Sequence, residues 1–224
     1  MIHRTKLANR SLPCYSRGEE IINMVTHITG GGCGLILSAI TCILAAKHRD
    51  PITLVGCIVF SITITTLYTM SSIYHGLKPG TAKKVMQVLD HCTIYLLISG
   101  TYTPILLGSF IQRFPSICWG LLIFQWTLAA LAIIFTAIDL NKYRVFSMVC
   151  YIGMGWSILI YIPQTIQVLT MNGFLLLLSG GIAYTIGAIL YGIGSKKPWF
   201  HSIFHIFVVL GSIMQTLSIL LYVV

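Results

Sequence analysis

Apolar runs of about 20 residues recur along the whole chain, and lipid, which offers the backbone no hydrogen bonds, accepts such runs only as self-satisfied helices. Charged residues make up 8% of the 224, apolar ones 56%, and mean hydropathy is +0.88, whereas a soluble domain carries about 25% charge. Too few charges remain to cover a water-facing surface. A soluble enzyme, a DNA-binding domain and a disordered chain are therefore excluded. Fourteen Lys and Arg against five acids give a net charge of +9, but these cations sit in short clusters between the apolar runs. They do not form the single exposed face that nucleic acid requires.

Seven stretches are long enough to span, approximately Ile21 to Ala46, Ile52 to His75, Val88 to Gly108, Ser116 to Ile138, Val145 to Ile162, Phe174 to Gly194, and Ser202 to Val224. In the fifth, Pro163, Gln164 and Gln167 interrupt the pattern, which predicts a kink or an early stop there. A cytoplasmic N-terminus places Arg4, Lys6, Arg10, Arg17, Lys78, Lys83, Lys84, Lys142, Arg144, Lys196 and Lys197 inside, leaving Lys47, Arg49 and Arg113 outside, a bias of 11 to 3. The positive-inside rule then selects N-terminus in and C-terminus out, opposite to rhodopsin-like receptors. The expectation is an all-α, polytopic cell-membrane protein: a basic cytoplasmic segment at residues 1–20 and a seven-transmembrane helix bundle at 21–224. No apolar stretch precedes residue 21, so the first span is expected to act as its own insertion signal. Seven cysteines without a C-x-x-C pair suggest small packing residues rather than a disulfide framework or thiolate site.

Ionisable groups at membrane depth are costly and each is a functional hypothesis. The topology gathers several in one leaflet. His75 closes the second span at its cytoplasmic end, Asp90 opens the third, and His201 and His205 open the seventh. Four residues turn a helix by about 400°, so Ser71 and His75 share a face, as do His201 and His205. An i, i+4 histidine pair with a third histidine from another helix makes a three-nitrogen set of the kind that holds catalytic zinc; a packed, hydrogen-bonded interfacial cluster is the alternative. Asp90 and Ser71 would then orient a ligand or water. His91 points about 100° from Asp90 and reads as a hydrogen-bonding or interfacial residue. Glu20, Asn23 and His27 share one face of the first helix, either supporting the metal ligands or forming a buried interhelical set. Gly30, Gly31, Gly32, Gly34, Gly180 and Gly181 read as close helix contacts, and Asp139 as a solvated loop end.

The segments SSIYHGL at 71–77, LDHCTIYLLISGTYTP at 89–104, HSIFHIFVVLGS at 201–212 and EEIINMVTHITGGG at 19–32 together resemble the hemolysin III family, a branch of the progestin and adipoQ receptor superfamily. The resemblance implies a seven-helix bundle with a cytoplasmic N-terminus and a Zn2+ ion held by His75, His201 and His205. It also implies water-contacting or supporting roles for Ser71 and Asp90.

The favoured function is a zinc-dependent hydrolase of a lipid amide or ester, with Asp90 as base, Ser71 as oxyanion donor, and the acyl chain lying between helices. A regulator of lipid composition or fluidity with a structural zinc is the second reading. A pore-forming hemolysin is the third, weakened because the outer halves of the spans lack the polar stripe a pore needs. The implied partners are membrane lipids and a lipid substrate or ligand, with no nucleic acid; the sequence specifies no oligomeric state.

Overall fold

The computed structural model describes residues 5–48, 50–194 and 197–224; Arg4, Arg49 and Lys196 of the charge pattern lie outside the described residues. All regular structure among them is helical. The helices are α1 (Arg17–Lys47), α2 (Pro51–Gly76), α3 (Thr81–Ile105, continued by a wide π turn at Leu106–Phe110), α4 (Pro115–Ile138), α5 (Arg144–Trp156), α6 (Ile162–Gly194) and α7 (Phe200–Tyr222). Six helical stretches, with Arg144–Ile193 counted as one, are long and apolar enough to cross a membrane. Their outward faces carry bare aliphatic side chains such as Ile43, Ile123, Val145 and Ile160, each more than 60% exposed. In water such a surface would aggregate; in lipid it is ordinary.

Local chemistry sets the helix starts. Ser16 and Glu19 form a reciprocal capping box ahead of α1, so the helix begins at Arg17, four residues before the apolar run. Asp50 accepts hydrogen bonds from the N–H groups of Ile52 and Thr53, both at 3.1 Å, and Pro51 occupies the first turn, where its missing N–H does no harm.

The fifth stretch runs past its expected end at Ile162. Pro163 has no N–H to give, and the preceding turn tightens into a 3-10 segment at Ser157–Tyr161. The helix then resumes until Thr170, whose φ of 61° and ψ of 171° break it. Beyond that break the chain doubles back, because Trp156 Nε1 donates to Thr185 Oγ1 at 3.0 Å.

Packing is sequential: α1 against α2 and α7, α2 against α3, α6 against α7, and α4 outside α3. Close approach of α2 and α3 depends on glycine. A Cβ at Gly100 would lie 1.9 Å from Thr63 Oγ1, and one at Gly56 would lie 2.7 Å from the Pro104 backbone. Gly30, Gly31, Gly34 and Gly180 are also close contacts, whereas Gly32 faces open space and Gly181 meets only Trp156 at 3.9 Å.

The N-terminal segment is strapped across one end of the bundle. Arg10, 5% exposed, donates from Nη2 to Ile138 O at 2.8 Å and so satisfies a carbonyl left free at the end of α4. The Thr5 N–H donates to Asp139 Oδ2 at 3.0 Å and the Lys142 N–H to Oδ1 at 3.1 Å. Asp139 is therefore 3% exposed and an anchor, not the solvated loop end its neighbours suggested. The Thr5 side-chain hydrogen bond, reinforced by these N–H groups and the Arg10 guanidinium, holds its carboxyl down at about 2.

A depressed folded-state pKa means that this attachment is complete above the ordinary carboxyl value and weakens only as pH falls through about 2. At neutral pH, Asp139→Asn removes the charge from the anchor. Trypsin cleavage after Arg10 is expected to run roughly tenfold faster in this variant, the effect of weakening one charged hydrogen bond by about 1.5 kcal/mol. Equal cleavage rates would show that Asp139 does not hold the strap.

Candidate metal centre

The centre is assembled at the end of the bundle where the strap lies. His75 sits in the last turn of α2, with Ser71 one turn below it on the same face, and His201 and His205 occupy the first two turns of α7. All three histidines are buried. His201 Nε2 lies 3.4 Å from His75 Nε2 and 3.0 Å from His205 Nε2. One ligand atom from each residue falls within 4.8 Å of those of the other two, so this set could hold a metal ion.

Helix α1 orients the set. Glu20 Oε2 accepts from His75 Nδ1 at 2.6 Å, which makes Nδ1 the protonated nitrogen and leaves the Nε2 lone pair facing the other histidines. The other Glu20 oxygen is held by Lys83 Nζ at 2.7 Å. Lys83, 3% exposed, also donates to Leu77 O at 2.9 Å and lies 5.0 Å over the Tyr74 ring. Asn23 Nδ2 touches His75 Nδ1 at 3.5 Å. His27 stacks on His205 with ring centroids 3.8 Å apart and meets the Tyr68 ring edge-on at 5.1 Å; both of its ring nitrogens are buried without partners. Glu20, Asn23 and His27 thus all reach the histidines.

The entry to α7 is held by Glu19, to which the sequence reading gave no role. Trp199 takes a left-handed conformation with φ 67° at the helix start, and its N–H donates to Glu19 Oε1 at 2.7 Å. Glu19 Oε2 meanwhile accepts from the Ser16 N–H at 2.8 Å. One carboxylate therefore caps α1 and ties it to the turn that delivers His201. Its role in α1 was legible as the fourth residue of an S-x-x-E pattern; its reach across 180 residues was not. Tyr15, on the strap, was missed as well. Its ring stacks on His201 at 4.7 Å and 17°, roofing the centre, and burial raises its hydroxyl pKa, so the phenol stays protonated.

An elongated, largely apolar cavity of about 150 Å³ leads away from the histidines. His27, Ser71, Asp90, His201 and His205 line one end, while Tyr102, Leu159, Phe174 and Gln215 line the other. Asp90 is half-buried and lies on the cavity wall rather than within the histidine cluster. His91 lines the same end, with its ring 6.2 Å from that of Tyr191.

The family model described as "Haemolysin-III related" matches residues 15–216 of the chain. "Hemolysin-3" of Bacillus cereus is 41% identical over 209 residues, covering 92% of each protein. "Hemolysin-3 homolog" of Bacillus subtilis (strain 168) is 34% identical over 210 residues, covering 92% of this chain and 95% of that one. Human "Monocyte to macrophage differentiation factor" is 25% identical over 235 residues, covering 99% and 91%. No solved structure matches. With a family model spanning all but its ends and relatives aligned over nearly their full lengths, the chain is a multi-pass membrane protein and belongs to the haemolysin-III related family.

Proposed function

We propose that the protein is a zinc-dependent hydrolase of lipid amides or esters that crosses the membrane seven times. Its N-terminus would face the cytoplasm and its C-terminus the outside. The observation that carries the chemistry is the convergence of three histidine nitrogens at the head of an apolar cavity that also presents Asp90 and Ser71. Four-coordinate zinc with Zn–N bonds of 2.0–2.1 Å places its ligand atoms about 3.3 Å apart, and the separations of 3.4 and 3.0 Å suit that geometry. Three histidines, with no fourth protein ligand in the cluster among the described residues, would leave a bound zinc a coordination position for substrate, as catalytic sites do. A zinc ion bound there supplies a Lewis acid for a carbonyl oxygen and lowers the pKa of water to about 7.

The chain's own groups divide the remaining work. Asp90 accepts a proton from the attacking water as its oxygen bonds to the carbonyl carbon. The carbon–nitrogen or carbon–oxygen bond then breaks, and the proton passes to the departing amine or alcohol. Ser71 donates to the developing oxyanion. Glu20 keeps His75 in the tautomer that points Nε2 inward, Asn23 and His27 pack the ligands in place, and Tyr15 closes the centre to bulk water. The acyl chain lies in the cavity between helices.

Seven crossings are supported by the break at Thr170 and the doubling back of the chain after it. They are supported too by the positions of the ends. The strap lies beside Asp139 at one end, whereas a Cβ at Gly108, at the other, would meet both Val223 and Thr53. Reporter fusions are expected to place residues 78–84 in the cytoplasm and Val224 outside; both termini on one side would refute the topology.

Purified protein is expected to hold about one zinc per chain. His205→Ala loses most of it and His91→Ala keeps it; equal retention would rule out the ligand assignment.

Asp90→Asn is expected to keep the fold and most of the zinc while slowing hydrolysis by a factor of about 10² to 10⁴, the range for loss of a general base. The assay incubates wild type and variant with a panel of lipid amides and esters and measures fatty acid released and zinc content in parallel. A folded, fully metallated wild type that releases nothing would leave the structural-zinc regulator as the reading.

A further inference from the structure

Gln215 opens into the same cavity as His201 from the same helix, 14 residues further on. That spacing is about 21 Å along the axis and about 40° short of four full turns, so both side chains face the tunnel from one side. The polar groups between them are already used. Thr101 Oγ1 donates to Leu97 O at 2.8 Å, and Tyr102 OH donates to Gly155 O at 2.9 Å. Thr185 Oγ1 donates to Gly181 O at 2.8 Å and accepts from Trp156 Nε1, while Tyr184 OH pairs with Ser212 Oγ at 2.7 Å. The Gln215 amide makes no hydrogen bond among the described residues. Its stem lies over Gly180, where a Cβ would come within 2.5 Å of Gln215 Cγ and 2.9 Å of Gly211 O. Glycine at 180 is what lets the side chain lie there.

Gln215 is half-buried and lines the cavity; an amide has four hydrogen-bonding positions, and an apolar chain filling the cavity would take solvent from them without replacing it, which is unfavourable. A ligand that brings a polar atom to this depth removes that penalty, whereas a plain alkyl tail leaves it in place. The axial separation of His201 and Gln215, about 21 Å, is that of an extended chain of about sixteen carbons. We propose that Gln215 determines specificity at the far end of the tunnel, recognising a terminal hydroxyl on a long acyl chain whose head lies at the histidines. The inference rests on the reading of the cavity as an acyl site.

The test measures binding, so it does not require turnover. Palmitate and ω-hydroxypalmitate compete with a fluorescent fatty acid for the purified, metallated full-length protein in detergent, using wild type, Gln215→Leu and Gly180→Ala. Wild type is expected to prefer the hydroxylated chain by about 2- to 12-fold, the range for one neutral hydrogen bond. Gln215→Leu is expected to bind palmitate at least as tightly as wild type, which also reports that it is folded, and to lose the preference. Gly180→Ala, which displaces the Gln215 stem, is expected to weaken the preference. Binding of both lipids by wild type without discrimination, or a preference that survives in Gln215→Leu, would overturn the role of Gln215 and leave the acyl site standing. Failure of both lipids to displace the probe would overturn the acyl-site reading itself.

Discussion

Lipid supplies no hydrogen bonds, and the bundle is organised by the need to satisfy every polar group internally. Hydroxyls along the helices mostly bond back to a carbonyl one turn earlier, as Thr66, Ser72, Thr101, Thr103 and Thr216 do. Others bridge helices, as in the buried run from Tyr102 through Ser157 to Gln125. Against that background the unsatisfied groups stand out. Arg10 Nε, Thr65 Oγ1 and Gln125 Oε1 are buried singly without partners, whereas both ring nitrogens of His27, the Nδ1 atoms of His201 and His205, Asn23 Oδ1 and Ser202 Oγ gather at one end of the bundle. Beside them the Nε2 atoms of His75, His201 and His205 converge, a set that could hold a metal ion.

The position of that cluster depends on a short chain of charge. Lys83 holds Glu20, and Glu20 holds His75, linking α3, α1 and α2 through groups that are at most 20% exposed. Lys83 and His75 are buried while Glu20 is half-buried, so removing Glu20 leaves two buried groups without their shared partner, a larger loss than that of an exposed ion pair. Glu19 provides the corresponding link to α7 through the Trp199 N–H. Consecutive glutamates on one helical turn thus tie down His75 on one helix and the turn that delivers His201 on another. The capping box at Ser16 sets their register, because it decides where α1 begins.

Much of the site was legible in the sequence because the relevant spacings are helical. The i, i+4 pairing of His201 with His205, the shared face of Ser71 and His75, and the stripe of Glu20, Asn23 and His27 all follow from 3.6 residues per turn. Hydropathy then placed these helix ends at a common depth. The strap was not legible. Arg10 counted only as one of the cytoplasmic cations and Asp139 read as a solvated loop end, and only the folded chain shows that residues 129 positions apart lie at the same helix end. The interruption expected at Pro163 is present as the 3-10 segment at Ser157–Tyr161, but the stretch does not end at Ile162. Pro163 costs one turn its N–H, and the helix resumes beyond it as far as Thr170.

Composition and periodicity alone therefore determined that the chain is helical and membrane-embedded, and which histidines share a face, since those properties depend only on local geometry and on transfer of side chains from water to lipid. Which partner each polar group found was decided by tertiary structure. The tautomer of His75, the roof of Tyr15 over His201, the close approach at Gly100 and the depth at which Gln215 meets the tunnel all depend on distances between residues far apart in the chain. Such distances are set by how whole helices pack, which no local pattern encodes.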